Sequence, residues 1–130
     1  MLDEAKQAAV WERVRGTGED LTAIYFKEEQ LARLYGTLSK KLWQEKRCQL
    51  RTLRALVFLE TGERPENLPQ PRIAITDRAQ ALRSACLQEL ETAKQYIMRS
   101  KSELTETYTC LAEQNRTHAK YILQCLGYCL

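Results

Sequence analysis

Apolar residues recur three and four positions apart along most of the chain, and this spacing predicts helices. Four long segments carry such a stripe, over residues 19–39, 41–61, 76–100 and 103–126. An alternation with a period of two, which is typical of strands, is nowhere sustained. The pattern therefore predicts an all-α protein.

Local signals mark where these helices begin and end. Residues 1–16 form a shorter segment with an apolar edge, which predicts a short N-terminal helix that the turn Gly16-Thr17-Gly18 ends. Thr61-Gly62 is a typical helix end. The stretch from 63 to 75 contains all three prolines and predicts a connector. Thirteen extended residues reach roughly 40 Å, whereas a helix of 20 residues is about 30 Å long. The connector can therefore cross the whole length of a helix bundle.

The joints predict how the helices are arranged. The breaks near Ser39 and near Ser100 are short, and tight joints make antiparallel neighbours. Two antiparallel hairpins joined by one long crossover is the arrangement of the ferritin-like four-helix bundle. We therefore expect one ferritin-like domain over residues 1–130, with the bundle over 19–126 and the short N-terminal helix before it.

Composition removes several classes of function. The net charge is only +3, so neither a nucleic-acid partner nor a membrane partner is expected. In the predicted helix over 41–61, four basic residues are interpreted as a solvated stripe: Lys46, Arg47, Arg51 and Arg54. No segment approaches the roughly 18 apolar residues that a membrane span needs. The start of the chain is acidic with no apolar run behind it, so no secretory signal is expected. The five cysteines include no Cys-x-x-Cys pair, and reduced thiols in a cytoplasm are the expectation.

One stretch occurs twice, and it supplies the first candidate site residues. Glu28 to Tyr35 and Glu89 to Tyr96 both run from a glutamate to a tyrosine seven residues later, with an alanine at the fifth place. Seven residues are two helical turns, so the glutamate and the tyrosine share one face, which is otherwise apolar. A lone buried carboxylate is costly and needs a cation, a proton or a hydrogen-bond donor. The two glutamates are therefore candidates for holding a ligand.

The other two long helices each offer half of a metal-binding pair. In ferritin-like di-metal proteins, two helices each give a glutamate and the other two each give a Glu-x-x-His pair. Here one helix has Glu45-x-x-Cys48, with cysteine in the place of histidine, and the last has Asn115-x-x-His118, with asparagine in the place of glutamate. The predicted metal ligands are Glu28, Glu45, Glu89 and His118, with Cys48 and Asn115 as completing groups.

These motifs resemble those of small bacterial rubrerythrin-like proteins of the ferritin-like superfamily. The resemblance covers residues 19–126 and rests on the two Glu-to-Tyr stretches and the two altered pairs. It implies an iron site, with manganese or zinc as other metals, and a role in peroxide reduction or iron chemistry. Because no rubredoxin segment is present, electrons would have to come from an external donor. The sequence does not decide whether the protein is an enzyme.

Two alternatives stay open at this point. In the first, the bundle is non-catalytic, has lost its metal and serves a structural or interaction role, for example as a homodimer. Its acids would then share protons or hydrogen bonds with Tyr35, Tyr96 and Asn115. In the second, Cys48 is a thiol that senses peroxide.

Overall fold

The computed structural model describes residues 20–65 and 74–127 of the chain. In these two ranges the regular structure is entirely helical, which confirms the all-α prediction. The helices are α1 (Leu21–Leu38), α2 (Lys40–Thr61), α3 (Arg78–Ser100) and α4 (Thr105–Cys125). Each bound lies within two residues of the predicted one. The predicted N-terminal helix and most of the predicted connector lie outside the described residues.

Short polar side chains begin three of the helices. Asp20 caps α1 by accepting a hydrogen bond from the backbone N–H of Ala23 at 2.8 Å. Ser39 and Asp77 cap α2 and α3 in the same way, through the third residue that follows each cap. Each cap satisfies a backbone donor that has no partner within the helix.

Gly62 ends α2 in the left-handed conformation, with φ at 79°. Its backbone N–H donates to the carbonyl oxygen of Phe58 at 2.8 Å. Glycine adopts this conformation without steric cost, so Thr61-Gly62 ends the helix where the sequence predicts.

The first hairpin is antiparallel. Glu28 of α1 contacts Lys46 of α2, and the guanidinium of Arg54 donates to the hydroxyl of Tyr25. Moving back along α1 therefore means moving forward along α2. Because only Ser39 separates the two helices, the chain reverses its direction within one residue.

The second hairpin is antiparallel in the same sense. Cys86 of α3 contacts the carbonyl oxygen of Ala119 on α4, and the ring of Tyr96 stacks on that of Tyr108 at 6.3 Å. The two predicted antiparallel pairs are therefore both present.

Contacts between the hairpins fix their relative direction. Tyr35 and Glu28 of α1 contact Glu89 and Tyr96 of α3 respectively, so α1 and α3 run antiparallel. It follows that α2 and α3 run parallel. α2 therefore ends at the opposite end of the four helices from the point where α3 begins.

A second ion pair between α2 and α3 confirms that the two helices run parallel. Arg99 of α3 contacts Glu60 of α2 at 2.9 Å, whereas Glu89 of α3 contacts Lys46 of α2. The contact that lies later on α2 also lies later on α3, so the two helices run in the same direction.

The interior consists of two apolar clusters. One contains Leu21, Ile24, Leu53, Tyr96 and Leu111 among others, and it lies toward the start of α1. The other lies toward the end of α1 and includes side chains such as Leu31, Leu42, Leu82, Ala119 and Ile122. A layer of buried polar side chains lies between the two clusters, and every helix contributes to it.

Candidate functional site

The polar layer gathers charged and amide side chains in the middle of the bundle. Each of its members is at most 3% exposed: Glu28 from α1, Lys46 and Gln49 from α2, Glu89 from α3, and Asn115 and His118 from α4. Buried charges are costly unless they are paired. The contacts within this layer therefore decide what it can do.

The ammonium group of Lys46 is the centre of the layer. Its Nζ lies 3.1 and 3.2 Å from the two carboxylate oxygens of Glu28, and 2.5 Å from Oε1 of Glu89. It also donates to Oε1 of Gln49 at 2.8 Å and lies 3.5 Å from Oδ1 of Asn115. One cation thus joins side chains from all four helices.

Burial and the lysine act in opposite directions on the two carboxyl groups. Burial raises the pKa of Glu28, and the positive charge of Lys46 lowers it by less, so the pKa of Glu28 is raised overall. Burial also favours a higher pKa at Glu89. The charge of Lys46 and the imidazole of His118 lower this pKa by more, so the pKa of Glu89 is lowered overall. The surroundings therefore favour the ionised carboxylate more strongly at Glu89 than at Glu28.

The two repeated stretches meet across the bundle. The hydroxyl of Tyr35 on α1 donates to Oε2 of Glu89 on α3 at 3.0 Å, and the hydroxyl of Tyr96 on α3 donates to Oε2 of Glu28 on α1 at 3.1 Å. Each tyrosine therefore donates a hydrogen bond to the glutamate of the other repeated stretch. Burial, followed by the nearby carboxylates, raises the pKa of both phenols far above the ordinary range. Both tyrosines stay protonated donors.

The two amides complete the layer. The Nε2 of Gln49 donates to Oδ1 of Asn115 in a short hydrogen bond, and it lies 3.4 Å from the carbonyl oxygen of Leu111. The Nδ2 of Asn115 donates to the backbone carbonyl of Glu89 at 3.5 Å. These bonds hold α2 against α4 and α4 against α3.

His118 lies between a buried and an exposed carboxylate. Its Nδ1 is 3.0 Å from Oε2 of Glu89, and its Nε2 is 3.1 Å from Oε2 of Glu45. The side chain of Glu45 is 43% exposed. Among the described residues Nδ1 has no aligned hydrogen-bond partner, although it is buried and points at the cluster. His118 thus connects the layer to its rim at Glu45.

The predicted site residues divide into three groups. The structure brings Glu28, Glu89, Asn115 and His118 together in the interior, and it places Glu45 at the rim. Cys48 is exposed and lies outside the layer. The inward positions of α2 are Lys46 and Gln49, one residue later than the pair read from the sequence. The whole α2 stripe sets this phase, because Leu42, Lys46, Gln49 and Leu53 follow a helical spacing and are all buried.

The sequence reading missed Lys46 and Gln49. The interpretation of Lys46 as part of a solvated stripe is wrong, because this side chain is fully buried. The signal was available: Lys46 and Gln49 are spaced i and i+3 and continue the stripe from Leu42 to Leu53. A charged residue in the middle of such a stripe indicates a buried partner of opposite charge, which Glu28 supplies.

The layer fits a metal ion only in part. Its carboxylates and imidazole are ligands that iron, manganese and zinc accept. The ammonium group, however, takes the position between the carboxylates of Glu28 and Glu89. Within the two described ranges, no group of three or more His, Cys, Asp or Glu side chains is placed to hold a metal ion. With Lys46 in this position, the residues do not fit a metal between the two carboxylates.

Comparison with known proteins does not assign this chain to a family. No family model, no curated protein and no solved structure matches this chain. In the described part of the chain, none of the helices is long and apolar enough to cross a membrane.

Proposed function

We propose that this protein is a ferritin-like bundle in which a lysine has taken over the role of a metal, and that it serves a structural or interaction role. The helix directions support the ferritin-like arrangement. With α1 antiparallel to α3 and α2 parallel to α3, two hairpins are joined by a connection between opposite ends. This is the pattern of bundles with one long crossover.

The spacing of the side chains in the polar layer also supports a ferritin-like bundle. In ferritin-like di-metal proteins the inward side chains are two single glutamates and two pairs spaced i and i+3. The layer contains the single glutamates Glu28 and Glu89, together with the pairs Lys46-x-x-Gln49 and Asn115-x-x-His118. The spacing of a metal site is therefore kept, whereas three of the six ligand types are changed.

One observation carries the proposal against a metal enzyme. The ammonium group of Lys46 pairs with both buried carboxylates. A metal between them would have to displace a cation that is already paired, and it would leave the lysine buried without a partner. That exchange is unfavourable unless the lysine finds a new environment.

Metal analysis tests this part of the proposal. Protein produced with added iron, manganese and zinc is expected to contain no stoichiometric metal, and its melting temperature should be the same with and without chelator. The rubrerythrin-like prediction of a redox site with an external electron donor requires the opposite. Stoichiometric iron whose absorption spectrum changes with peroxide would establish that function and contradict ours.

The outer face of α3 supports an interaction role, with a second copy of this chain as the partner. Leu87, Leu90 and Met98 are 68%, 40% and 37% exposed and share one face by helical spacing. Glu91 and Lys94 lie between them. If two copies of α3 pack antiparallel about a twofold axis near these charges, Glu91 of each copy faces Lys94 of the other, and Leu87 faces Met98. Such a face is self-complementary, as a twofold interface requires.

Sedimentation velocity over a concentration series tests the homodimer. The unchanged protein is expected to dimerise, and the double variant Leu87→Lys/Leu90→Lys should stay monomeric with unchanged helicity. Leu59→Lys is the matched control, because Leu59 is 74% exposed but lies on α2. A protein that is monomeric at all concentrations would contradict the proposal, as would a dimer that Leu59→Lys separates and the α3 variant does not.

A further inference from the structure

We propose that the amine of Lys46 and the side-chain amide of Asn115 form a covalent isopeptide bond after folding, with loss of ammonia. The reaction starts from the ion-paired polar layer, so freshly folded protein contains the ion pair and the bond accumulates with time. The inference rests on the proposed function, because a metal ion between the carboxylates would displace the amine. It adds a modification that joins α2 to α4, and so locks one hairpin to the other.

The two reacting groups are adjacent and buried. Nζ of Lys46 lies 3.5 Å from Oδ1 of Asn115, and both side chains are fully buried. A carbonyl bond is about 1.23 Å long, so Nζ lies at most about 4.7 Å from the amide carbon Cγ. Attack requires a separation of about 3 to 3.5 Å, so an approach of about 1 Å brings the two atoms within range.

Gln49 polarises the amide of Asn115. Its Nε2 donates a short hydrogen bond to Oδ1 of Asn115. Negative charge develops on this oxygen when an amine adds to Cγ, and a donor that already points at the oxygen stabilises that charge. The amide oxygen of Gln49 itself lies 2.8 Å from Nζ, but within the described residues it accepts no second hydrogen bond. Asn115 is therefore the better electrophile of the two amides.

Glu89 is placed to accept a proton from the lysine. Its Oε1 lies 2.5 Å from Nζ, which is within the range for proton transfer to a general base. Transfer converts the ammonium into a neutral amine, which is the nucleophilic form. Both groups are fully buried, and burial disfavours the charged forms of an amine and of a carboxylic acid. The neutral pair is therefore accessible in this layer.

The reaction balances without a further reactant. The ammonium of Lys46 gives one proton to Glu89, and the resulting amine forms the Nζ–Cγ bond with Asn115. A second proton passes from Nζ to Nδ2, the Cγ–Nδ2 bond breaks, and ammonia leaves. The products are a secondary amide, ammonia and a protonated Glu89. The net charge of the layer is unchanged, and no oxidant or cofactor is consumed.

Intact-mass spectrometry of the full chain tests the proposal, with fresh protein compared with protein incubated for several days well below its melting temperature. A species lighter by the mass of one ammonia molecule is expected to accumulate. Trypsin cleaves after lysine and arginine, but not after a lysine whose amine is part of an amide. A digest of the lighter species should therefore contain residues 42–47 joined to residues 102–116.

Three controls separate the specific bond from general loss of ammonia. Lys46→Arg keeps a positive charge but has no amine nucleophile, because a guanidinium group is not deprotonated in proteins, so it should give no joined peptide. Glu89→Gln removes the general base and should slow formation of the joined peptide by about 100-fold or more. The unchanged protein in guanidinium chloride should form none, since unfolding separates two residues that lie 69 positions apart in the chain.

The outcomes separate this inference from the proposed function. Unchanged protein that keeps its full mass after incubation would overturn the inference and would leave the proposed function standing, and this result does not depend on whether a variant folds. Loss of ammonia without the joined peptide would also overturn the inference, because a succinimide within one asparagine has the same mass. A joined peptide that forms equally well in guanidinium chloride would do the same. Stoichiometric metal in the unchanged protein would instead contradict the proposed function.

Discussion

Replacing Lys46 by methionine is the perturbation that most directly measures the polar layer. The change keeps a long unbranched side chain, shorter by one atom, and removes its charge. Glu28 and Glu89 then remain buried without the ammonium group. Glu28 keeps the hydroxyl of Tyr96, and Glu89 keeps the hydroxyl of Tyr35 and the contact with His118. We expect a large loss of stability.

The structure gives the size of this loss. The paired oxygens of Glu28 and Glu89 lie 3.1 and 2.5 Å from the same nitrogen, so they are at most about 5.6 Å apart. Two like charges at that distance repel by about 3 kcal/mol at an effective dielectric constant of about 20. Removing one partner of a buried ion pair costs about 3 to 5 kcal/mol in other proteins. Both routes predict that Lys46→Met lowers the free energy of unfolding by about 3 to 5 kcal/mol.

Urea unfolding followed by circular dichroism measures this free energy. The triple variant Lys46→Met/Glu28→Gln/Glu89→Gln is the control, because it removes the charges together and keeps groups that the tyrosine hydroxyls can bond. It should recover most of the loss, since replacing a whole buried ion cluster is often close to neutral. A loss below about 1 kcal/mol in Lys46→Met, or no recovery in the triple variant, would refute the ionic reading of the layer.

Three further predictions concern single features of the chain. Because the pKa values of Tyr35 and Tyr96 are raised in the folded state, their contribution to stability is present below the unfolded value near pH 10 and is lost as the pH rises above it. Unfolding free energies between about pH 8 and pH 11 should therefore fall more steeply in the unchanged protein than in Tyr35→Phe/Tyr96→Phe, and parallel curves would contradict this. Gly62→Ala should lower the free energy of unfolding by about 1 to 2 kcal/mol, because φ is positive at Gly62 although the space around it is open. An unchanged midpoint of urea unfolding would contradict this and would show that the end of α2 relaxes. Cys48→Ser should change stability by less than about 0.5 kcal/mol because the side chain is exposed, and loss of a peroxide response in this variant alone would favour the thiol-sensor alternative.

The helices and their ends could be predicted because their signals are local. Apolar spacing set the four long helices, and Gly62 ended α2 where its conformational freedom indicated. The two Glu-to-Tyr stretches also predicted buried acids correctly, because Glu28 and Glu89 each lie on an otherwise apolar face.

The Glu45-x-x-Cys48 motif alone did not give the phase of α2, whereas the longer apolar stripe does. Glu45 and Cys48 have the spacing of a ligand pair, but Lys46 and Gln49 have the same spacing one position later. The stripe that runs from Leu42 to Leu53 decides between the two pairs, because it places Lys46 and Gln49 on the buried face. A lysine also fits the interior only because Glu28 and Glu89 meet it there, and they lie on other helices far away in the sequence. This is long-range information that a single helix does not contain.

Anomalous diffraction from crystals of protein purified without chelator tests the central claim most directly. Data collected at the iron, manganese and zinc absorption edges would reveal any of these metals between Glu28 and Glu89. We predict no anomalous peak there, with the Nζ of Lys46 in contact with both carboxylates. A peak between the two glutamates, with Lys46 turned away from them, would contradict the account.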